Sequence, residues 1–229
     1  MALYAIGDLH LSLAADKPMD VFGGRWEAYT EKIQAGFAHL QPEDVTVLCG
    51  DLTWGMNLQD SLADFLFIHR LPGKKIILKG NHDYWWETAK KTRDFFAANG
   101  IDSIDILHNN CHSYGDIAIC GTRGWFYEEE TGKAHDKKIL NRELGRLETS
   151  LKEAGEREKI CFLHYPPRYR NYISREIIDL LDRYAVRRCY YGHIHGPSFS
   201  HVVLGDVSGI NYQLISADYL NFKPKLVEI

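Results

Sequence analysis

Short apolar runs that end abruptly in glycine and polar residues recur along this chain, and Lys74–Asp83 shows the pattern most clearly. Its apolar run, 76–78, follows a Pro-Gly turn and is rich in β-branched residues, which is typical of a buried parallel strand. Gly80 then allows a sharp turn of the backbone. Just beyond the carboxyl end of this predicted strand, where open α/β sheets place their ligands, come three polar residues: Asn81, His82 and Asp83.

Four other predicted strands end in the same way. They are Leu3–Ile6, Val45–Cys49, Ile160–Leu163 and Arg188–Tyr191, and they lead into Gly7-Asp8-Leu9-His10, Gly50-Asp51, His164 and Gly192-His193-Ile194-His195. A single Gly-Asp turn is most often structural. Asp, Asn and His at five strand ends indicate a shared functional site, because ligands of such sheets bind outside the carboxyl ends of the strands.

Helical spacing of apolar residues fills the intervals between the first strands. It predicts helices at Trp26–Leu40, Leu58–Arg70 and Glu87–Asn99, and their aromatic residues, beginning with Trp26, are assigned to the core. The first hundred residues therefore read as alternating strands and helices with a right-handed parallel sheet.

The pattern changes after residue 100, where short apolar runs alternate with turn signals. Asn109-Asn110 and Gly115-Asp116 predict hairpins. Residues 123–136, rich in Gly and Glu, predict a surface loop that borders a cleft. The remaining predicted elements are helices at Lys137–Ala154 and after a capping Ser174, and hairpin or edge strands at Val202–Leu204, Tyr212–Ser216 and Lys225–Ile229.

Composition narrows the class of protein without naming a function. The 229 residues, 45% hydrophobic and 25% charged, fit one globular domain over 1–229 better than two small ones. A formal charge of −4 argues against a general binder of polyanions, so nucleic acid is not an expected partner. We see neither a signal peptide nor a transmembrane span and expect a cytoplasmic protein without membrane contact. The five cysteines, without a C-x-x-C pair, predict reduced and mostly buried thiols.

The strand-end residues form a donor set that suits metal ions. Seven nitrogen and oxygen donors are too many for one ion, whereas two divalent ions that share a bridging carboxylate would use them all. Imidazole and carboxylate without thiolate favour Mn, Fe, Zn or Co. The candidate ligands are Asp8, His10, Asp51, Asn81, His164, His193 and His195.

Taken as an ordered set, these motifs resemble the signature of the calcineurin-like metallophosphoesterases. The resemblance extends from residue 8 to residue 195 and rests on Asp8-x-His10, Gly50-Asp51, Gly80-Asn81-His82-Asp83, His164 and Gly192-His193-x-His195. It implies an α/β fold (α+β by some schemes) of two mixed β-sheets packed as a sandwich and flanked by helices, with a dinuclear site at the carboxyl ends of the strands. This fold replaces the purely parallel picture and accounts for the β-rich second half.

The resemblance also implies a role for each residue. Asp8, His10 and His195 would bind one metal ion, Asn81, His164 and His193 the other, and Asp51 would bridge both. A hydroxide between the two ions would be the nucleophile. His82 would protonate or stabilise the leaving oxygen as a catalytic residue, with Asp83 orienting its imidazole.

The expected reaction is hydrolysis of a small phosphodiester or phosphomonoester, and two alternatives stay open. A nuclease of the same superfamily would want a basic groove, and a non-catalytic scaffold would be expected to lose ligands. Asp51 is followed by Leu52-Thr53-Trp54-Gly55-Met56 instead of the Gly-Asp-x-x-x-Arg pattern of the related protein phosphatases, which argues against that branch.

Several aromatic and basic residues near the motifs are candidates for substrate contacts. Trp54, Trp85, Trp86 and Trp125 either belong to the core or line the cleft. Arginine forks suit phosphate oxygens, and the candidates are Arg123, Arg168 and Arg170.

Overall fold

A computed structural model of the protein describes residues 1–17, 19–126 and 133–229, apart from the side chains of Phe22, Lys133 and Ala134. The described α-helices are α1 (Tyr29–Phe37), α2 (Leu62–Arg70), α3 (Ala89–Ala98), α4 (Lys133–Glu153) and α5 (Arg175–Arg183). The described strands are β1 (Leu3–Ile6), β2 (Val45–Cys49), β3 (Lys74–Leu78), β4 (Ile104–Ile106), β5 (His112–Tyr114), β6 (Ile117–Thr122), β7 (Glu158–Leu163), β8 (Arg168–Tyr169), β9 (Tyr172–Ile173), β10 (Arg188–Tyr191), β11 (Gly205–Val207), β12 (Ile210–Leu214) and β13 (Lys225–Leu226).

The first sheet contains the strands of the alternating N-terminal half. Its order is β13-β1-β2-β3-β4. Strands β1 to β4 run parallel, and the edge strand β13 is antiparallel to β1. Helices α1, α2 and α3 connect the successive parallel strands. The parallel arrangement predicted for the first hundred residues is therefore confirmed within this sheet.

The second sheet is built from the rest of the chain in the order β11-β12-β10-β7-β6-β5. Its four central strands are parallel, and the edge strands β11 and β5 are antiparallel to their neighbours. Both sheets are thus mixed, as the resemblance implies. A separate short hairpin, β8–β9, was not predicted.

The central strands carry apolar residues on both faces, so each sheet can pack against the other sheet on one side and against helices on the other. Their inner faces share a cluster in which Val47 and Ile76 of the first sheet lie with Ile119 and Phe162 of the second. On the outer faces, α1, α2 and α3 cover the first sheet, and α4 and α5 cover the second. The predicted sandwich of two mixed sheets flanked by helices is confirmed.

Helix boundaries differ from the prediction where apolar residues pack without being helical. Helix α1 begins at Tyr29 rather than Trp26, although Trp26 is buried. Helix α2 begins at Leu62 rather than Leu58. The spacing of apolar residues indicates which side chains face the core. Residues just outside a helix can also face the core, so this spacing does not fix where the helix begins.

Two turn predictions in the second half fare differently. Gly115-Asp116 joins the hairpin β5–β6, as predicted. The hairpin predicted at Asn109-Asn110 is wrong, because β4 and β5 belong to different sheets and this segment carries the chain between them.

Two further local predictions are wrong, and one falls partly outside the described residues. Val202–Leu204 is not a strand, and Val202 makes an isolated bridge just ahead of β11. Ser174 precedes α5, but its side chain makes no capping hydrogen bond. Of the surface loop predicted at 123–136, residues 127–132 lie outside the part of the chain that the structure describes. Residues 133–136 are helical, because α4 begins at Lys133 rather than at Lys137.

The cysteines and helices bear on the predictions made from composition. Four of the five free cysteines are buried, and Cys111 is half-buried; the buried four are Cys49, Cys120, Cys161 and Cys189. Within the described ranges, every helix is too short or too polar to cross a lipid bilayer.

Candidate metal centre

The seven predicted metal ligands follow the carboxyl ends of parallel strands from both sheets. Asp8 and His10 come after β1, Asp51 after β2, Asn81 after β3, His164 after β7, and His193 and His195 after β10. Four of these residues have positive φ angles: Asp8 (58°), His10 (47°), Asp51 (50°) and His193 (71°). This left-handed conformation is uncommon outside glycine and concentrates at functional sites. It turns the chain away from each strand at the point where a polar side chain enters the site.

The first group of donor atoms comes from Asp8, His10 and His195, whose ligand atoms all lie within 4.8 Å of one another. The Nε2 atoms of His10 and His195 are 3.4 Å apart. His195 Nε2 is also 3.6 Å from Asp8 Oδ1. These three side chains could hold one metal ion.

The second group comes from Asp51, His164 and His193, again within 4.8 Å of one another. Asn81 joins it through Oδ1, which lies 2.7 Å from His164 Nε2. Asp51 Oδ2 lies 3.5 Å from His164 Nε2 in this group and 3.8 Å from His10 Nε2 in the first. The Asp51 carboxylate therefore stands between the two groups.

Glycines keep the space around these carboxylates open. A Cβ atom added to Gly80 would collide with Asp51 Oδ1, and one added to Gly192 would collide with Asp8 Oδ2. The backbone N–H of His193 donates to both Asp8 oxygens at 3.0 Å. Glycine at these two positions lets the backbone of one strand end approach the carboxylate of another.

Burial is the main cause of the pKa shifts of His10, His164 and Asp51. It lowers the pKa of His10 and of His164 well below the usual range, and neighbouring imidazoles add to this effect. Burial, with Asp83 and Asp8 nearby, raises the pKa of Asp51 well above its usual range. A bound cation would reverse the effect on Asp51, because positive charge favours the ionised form of a carboxyl.

The donor chemistry fits divalent metal ions. Imidazole nitrogens, carboxylate oxygens and one amide oxygen converge, and no thiol lies among these seven residues. Such a set suits Mn, Fe, Zn or Co. Imidazole nitrogens that face each other at 3.4 Å gain a shared partner when a cation lies near both.

His82 lies beside the centre and not within either group. Its backbone N–H donates to Asp51 Oδ1 at 2.8 Å, and its ring lies 4.5 Å from that of Trp54. Its Nδ1 is buried and makes no hydrogen bond to any described residue. Burial lowers the pKa of His82, and the nearby His193 and Lys17 lower it further.

Asp83 does not orient the imidazole of His82, so this predicted contact is wrong. Its Oδ2 accepts from the backbone N–H groups of Gly80 (2.6 Å) and Asp51 (2.9 Å). Its Oδ1 accepts from Leu52 N–H and from Trp85 Nε1–H, both at 2.9 Å. The fully buried carboxylate thus joins the ends of β2 and β3, and four donors leave it no free position for the histidine.

A cavity of about 780 Å³ opens beside the centre. One wall consists of His10, Asp51, His82, His193 and His195, and the rest is lined mainly by Met19, Gly23, Gly24, Arg25, Trp26, Trp54, Gly196, Pro197 and Asp218. The Trp54 ring stacks on that of His10 with centroids 5.1 Å apart, and Lys17 Nζ lies 4.4 Å from the Trp54 centroid.

The cavity lining shows which of two predicted positions, core or cleft, Trp54 and Trp85 occupy. Trp54 lines it, whereas Trp85 is fully buried in the core. Trp26 was assigned to the core alone; it is 4% exposed but also forms part of the cavity wall. The segment around Met19 and Trp26 therefore contributes to the site, although it contains no motif.

The three arginines predicted as phosphate contacts have other partners. Arg123 Nη2 donates to Glu143 at 3.2 Å, Arg168 lies over the ring of Tyr212, and Arg170 lies over that of Tyr169. Among the described residues that line the cavity there is none of these three arginines, but Arg25 is one of them.

Sequence reasoning missed Asp218. Its side chain is 1% exposed, and its Oδ1 lies 2.8 Å from His195 Nδ1. Burial alone would lower the pKa of His195, but the carboxylates of Asp218 and Asp8 raise it to about 10. A signal for this residue existed, since Asp218 closely follows the apolar strand β12 just as the predicted ligands follow theirs.

Comparison with known proteins bears on the fold and the family. The profile of the calcineurin-like phosphoesterase family matches residues 1–197. None of the curated proteins shows a significant match.

Several solved structures share the fold at low sequence identity. A phosphopantetheinyl hydrolase from Mycobacterium tuberculosis has a TM-score of 0.58 and 14% identity, covering 99% of this chain and 95% of that one. A protein of unknown function from Aquifex aeolicus has a TM-score of 0.52 and 16% identity, covering 98% and 95%. A protein of Thermus thermophilus has a TM-score of 0.53 and 14% identity, covering 84% and 81%.

Proposed function

The chain belongs to the calcineurin-like phosphoesterase family, and from that premise we propose that it hydrolyses small phosphoesters with the aid of two divalent metal ions. Asp8, His10 and His195 would hold one ion. Asn81, His164 and His193 would hold the other, and Asp51 would contact both.

The position of Asp51 is the observation that carries this proposal. Its Oδ2 lies 3.8 Å and 3.5 Å from imidazole nitrogens of the first and the second donor group, as a shared ligand requires. When bound, two such ions supply a water of lowered pKa and neutralise charge on the phosphoryl oxygens. Two carboxylates against two divalent cations leave a net positive charge, which favours an anionic phosphoester.

His82 is the residue of this chain proposed to act on the reacting phosphoryl group. It lines the cavity together with Asp51 and His193, and its Nδ1 has no partner among the described residues. An imidazole that lines the cavity beside Asp51 can donate a hydrogen bond or a proton to the leaving oxygen. Asp83 would then act on the positions of Asp51 and Gly80 and not on His82.

The cavity supports a substrate with an organic group rather than a bare phosphate. Its volume of about 780 Å³ lies in the range of pockets for small organic ligands, and Trp26, Trp54 and Met19 provide apolar walls. Lys17 and Arg25 add positive charge near them. Because the solved relative named as a phosphopantetheinyl hydrolase shares only 14% identity, the identity of the organic group is a matter for assay.

The test is hydrolysis of bis-p-nitrophenyl phosphate and p-nitrophenyl phosphate by metal-stripped protein supplied in turn with Mn²⁺, Fe²⁺, Zn²⁺ and Mg²⁺. We expect turnover that requires added metal, and the preferred ester will distinguish diesters from monoesters as the natural class. Asp51→Asn is the matched variant and should lose metal from both positions because one shared ligand changes. Absence of turnover with every metal would overturn the proposal and favour a non-catalytic protein of this fold.

A further inference from the structure

We propose that Asp218 is a positioning residue of the metal centre, whose carboxylate holds the His195 imidazole with Nε2 turned towards Asp8 and His10. The inference rests on the function proposed above, because it concerns one of the two metal positions. Asp218 lies beyond residues 1–197, which the family profile matches.

Both carboxylate oxygens of Asp218 bind the segment that carries His195. Oδ1 is 2.8 Å from His195 Nδ1, and Oδ2 accepts from the backbone N–H of Gly196 at 3.2 Å. The imidazole therefore presents its other nitrogen to the centre, where Nε2 lies 3.4 Å from His10 Nε2 and 3.6 Å from Asp8 Oδ1. A hydrogen bond to one ring nitrogen sets which nitrogen is free to bind a metal.

The backbone before Asp218 is attached to strand ends of both sheets. Ile215 O accepts from Gly7 N–H at 2.7 Å, and Ala217 N–H donates to Gly7 O at 3.0 Å. Ile215 N–H donates to Tyr191 O at 2.8 Å. These bonds tie residues 215–217 to the ends of β1 and β10, the two strands that deliver Asp8 and His195. These hydrogen bonds fix the position of Asp218 relative to Asp8 and His195.

The two metal positions differ in how a histidine is anchored. His164 Nδ1 lies 3.0 Å from the backbone carbonyl oxygen of Cys49, with the nearest Asp8 oxygen farther away at 3.7 Å, whereas His195 Nδ1 lies 2.8 Å from a carboxylate oxygen. A carboxylate partner raises the basicity of a ligating imidazole. Loss of the Asp218 charge should therefore weaken the position that contains His195 and leave the position that contains His164 unchanged.

The side-chain exposures argue that Asp218 acts through the histidine. The side chain of His195 is 31% exposed and that of Asp218 only 1%. Oδ1 is bonded to His195 and Oδ2 to Gly196, and among the described residues Asp218 is not a member of the donor group of Asp8, His10 and His195. A direct role as a metal ligand would require these contacts to break.

The experiment measures metal binding by Asp218→Asn, which removes the charge and keeps the shape. Metal-stripped protein is dialysed against graded Mn²⁺, and bound metal is counted per chain. We expect wild type to bind two ions and Asp218→Asn to bind one of them about 10–100-fold more weakly, the usual effect of losing such a partner. The control is Asp206→Asn, an exposed residue on β11, which should match wild type. Excess Mn²⁺ should restore the hydrolysis lost in Asp218→Asn.

A double-mutant cycle with His195→Ala separates positioning from general structural damage. If Asp218 acts through His195, Asp218→Asn should have no further effect on metal affinity in the His195→Ala background. Unchanged affinity for both ions in Asp218→Asn, or an equal further loss in the His195→Ala background, would overturn the inference. Failure of wild type to bind any metal would refute the proposed function itself, and this inference with it.

Discussion

The buried carboxylate of Asp83 joins two strand ends of the centre, and Asp83→Asn tests whether this is its role. Its Oδ2 accepts from Gly80 and Asp51, and its Oδ1 accepts from Leu52 and Trp85. An asparagine retains a single acceptor oxygen. Whichever way its amide is turned, the NH₂ group faces two N–H donors.

The expected loss of stability follows from those contacts. Two hydrogen bonds to a charged group disappear, at about 1.5–3 kcal/mol each, so the free energy of unfolding should fall by about 3–6 kcal/mol. For a chain of this size, about 2–4 °C in Tm accompanies each kcal/mol. The Tm of Asp83→Asn should therefore fall by about 6–24 °C. In either orientation the backbone N–H of Asp51 or of the adjacent Leu52 loses its acceptor, so both metal positions should weaken as well.

The assay is thermal unfolding of metal-stripped protein, so that metal loss does not contribute to the difference in Tm. The control is Asp105→Asn, since Asp105 is exposed on β4 and the change should leave Tm nearly unaltered. The competing hypothesis, in which Asp83 orients His82, predicts lower kcat without lower stability. An Asp83→Asn protein that melts within about 2 °C of wild type when both are metal-free, but that has lower kcat than wild type when both are reloaded with metal, would refute the structural role of Asp83 and favour that hypothesis.

Three other changes test separate parts of the structure. His82→Ala should retain both metal ions and lower kcat for the chromogenic diester by about 10²–10⁴-fold; loss of metal would contradict its placement outside the ligand set. Gly192→Ala should lower metal affinity at the position of Asp8, because the new Cβ collides with Asp8 Oδ2, whereas Gly145→Ala, with open space around it, should bind metal normally. Lys75→Met should lower the free energy of unfolding by about 3 kcal/mol, because Lys75 Nζ donates to three backbone carbonyl oxygens, one in the last turn of α2 and two just after it. Burial lowers the pKa of Lys75 to about 8 in the folded protein, whereas it is about 10.4 in the unfolded chain. Between these two pKa values the unfolded state binds more protons than the folded state, so the stability of wild type increases as pH rises. Urea unfolding at about pH 7.5 and about pH 9.5, on either side of the folded-state pKa, should therefore show a wider gap between wild type and Lys75→Met at the higher pH; a narrower gap would contradict the assignment.

The candidate ligands were predictable because each follows an apolar strand closely in the sequence. Gly80-Asn81 and Gly192-His193 are two examples. In each, an apolar strand that must be buried is followed by a glycine and then by a residue of a type that binds metal ions. The order of strands in a sheet was not needed to find them. The sandwich was predicted from the resemblance to a family. Periodicity alone predicted a parallel sheet, whereas the structure contains two mixed sheets, each with four parallel strands.

Interactions between distant segments could not be predicted in the same way. Asp83 lies beside His82 in sequence, which favoured a contact between their side chains. The carboxylate instead bonds the backbone of Asp51 and Leu52, about thirty residues away. Backbone donors are identical in every residue, so nothing in the residue types marks them as the partners of a buried carboxylate.

Asp218 shows how strand order extends the local rule to a residue that no motif marks. Strand β12 pairs in parallel with β10, so its carboxyl end lies at the edge where β10 delivers His193 and His195. Knowledge of that pairing would have added Asp218 to the candidates, because a polar residue follows the run there as at the other strand ends. The same pairing means that the side-chain partner of His195 Nδ1 comes from the chain beyond residue 197. That segment also supplies Tyr212 and Phe222 to the two outer core clusters. Residues 1–197 contain all seven candidate ligands, and the segment after β12 bonds one of them, His195, through Asp218.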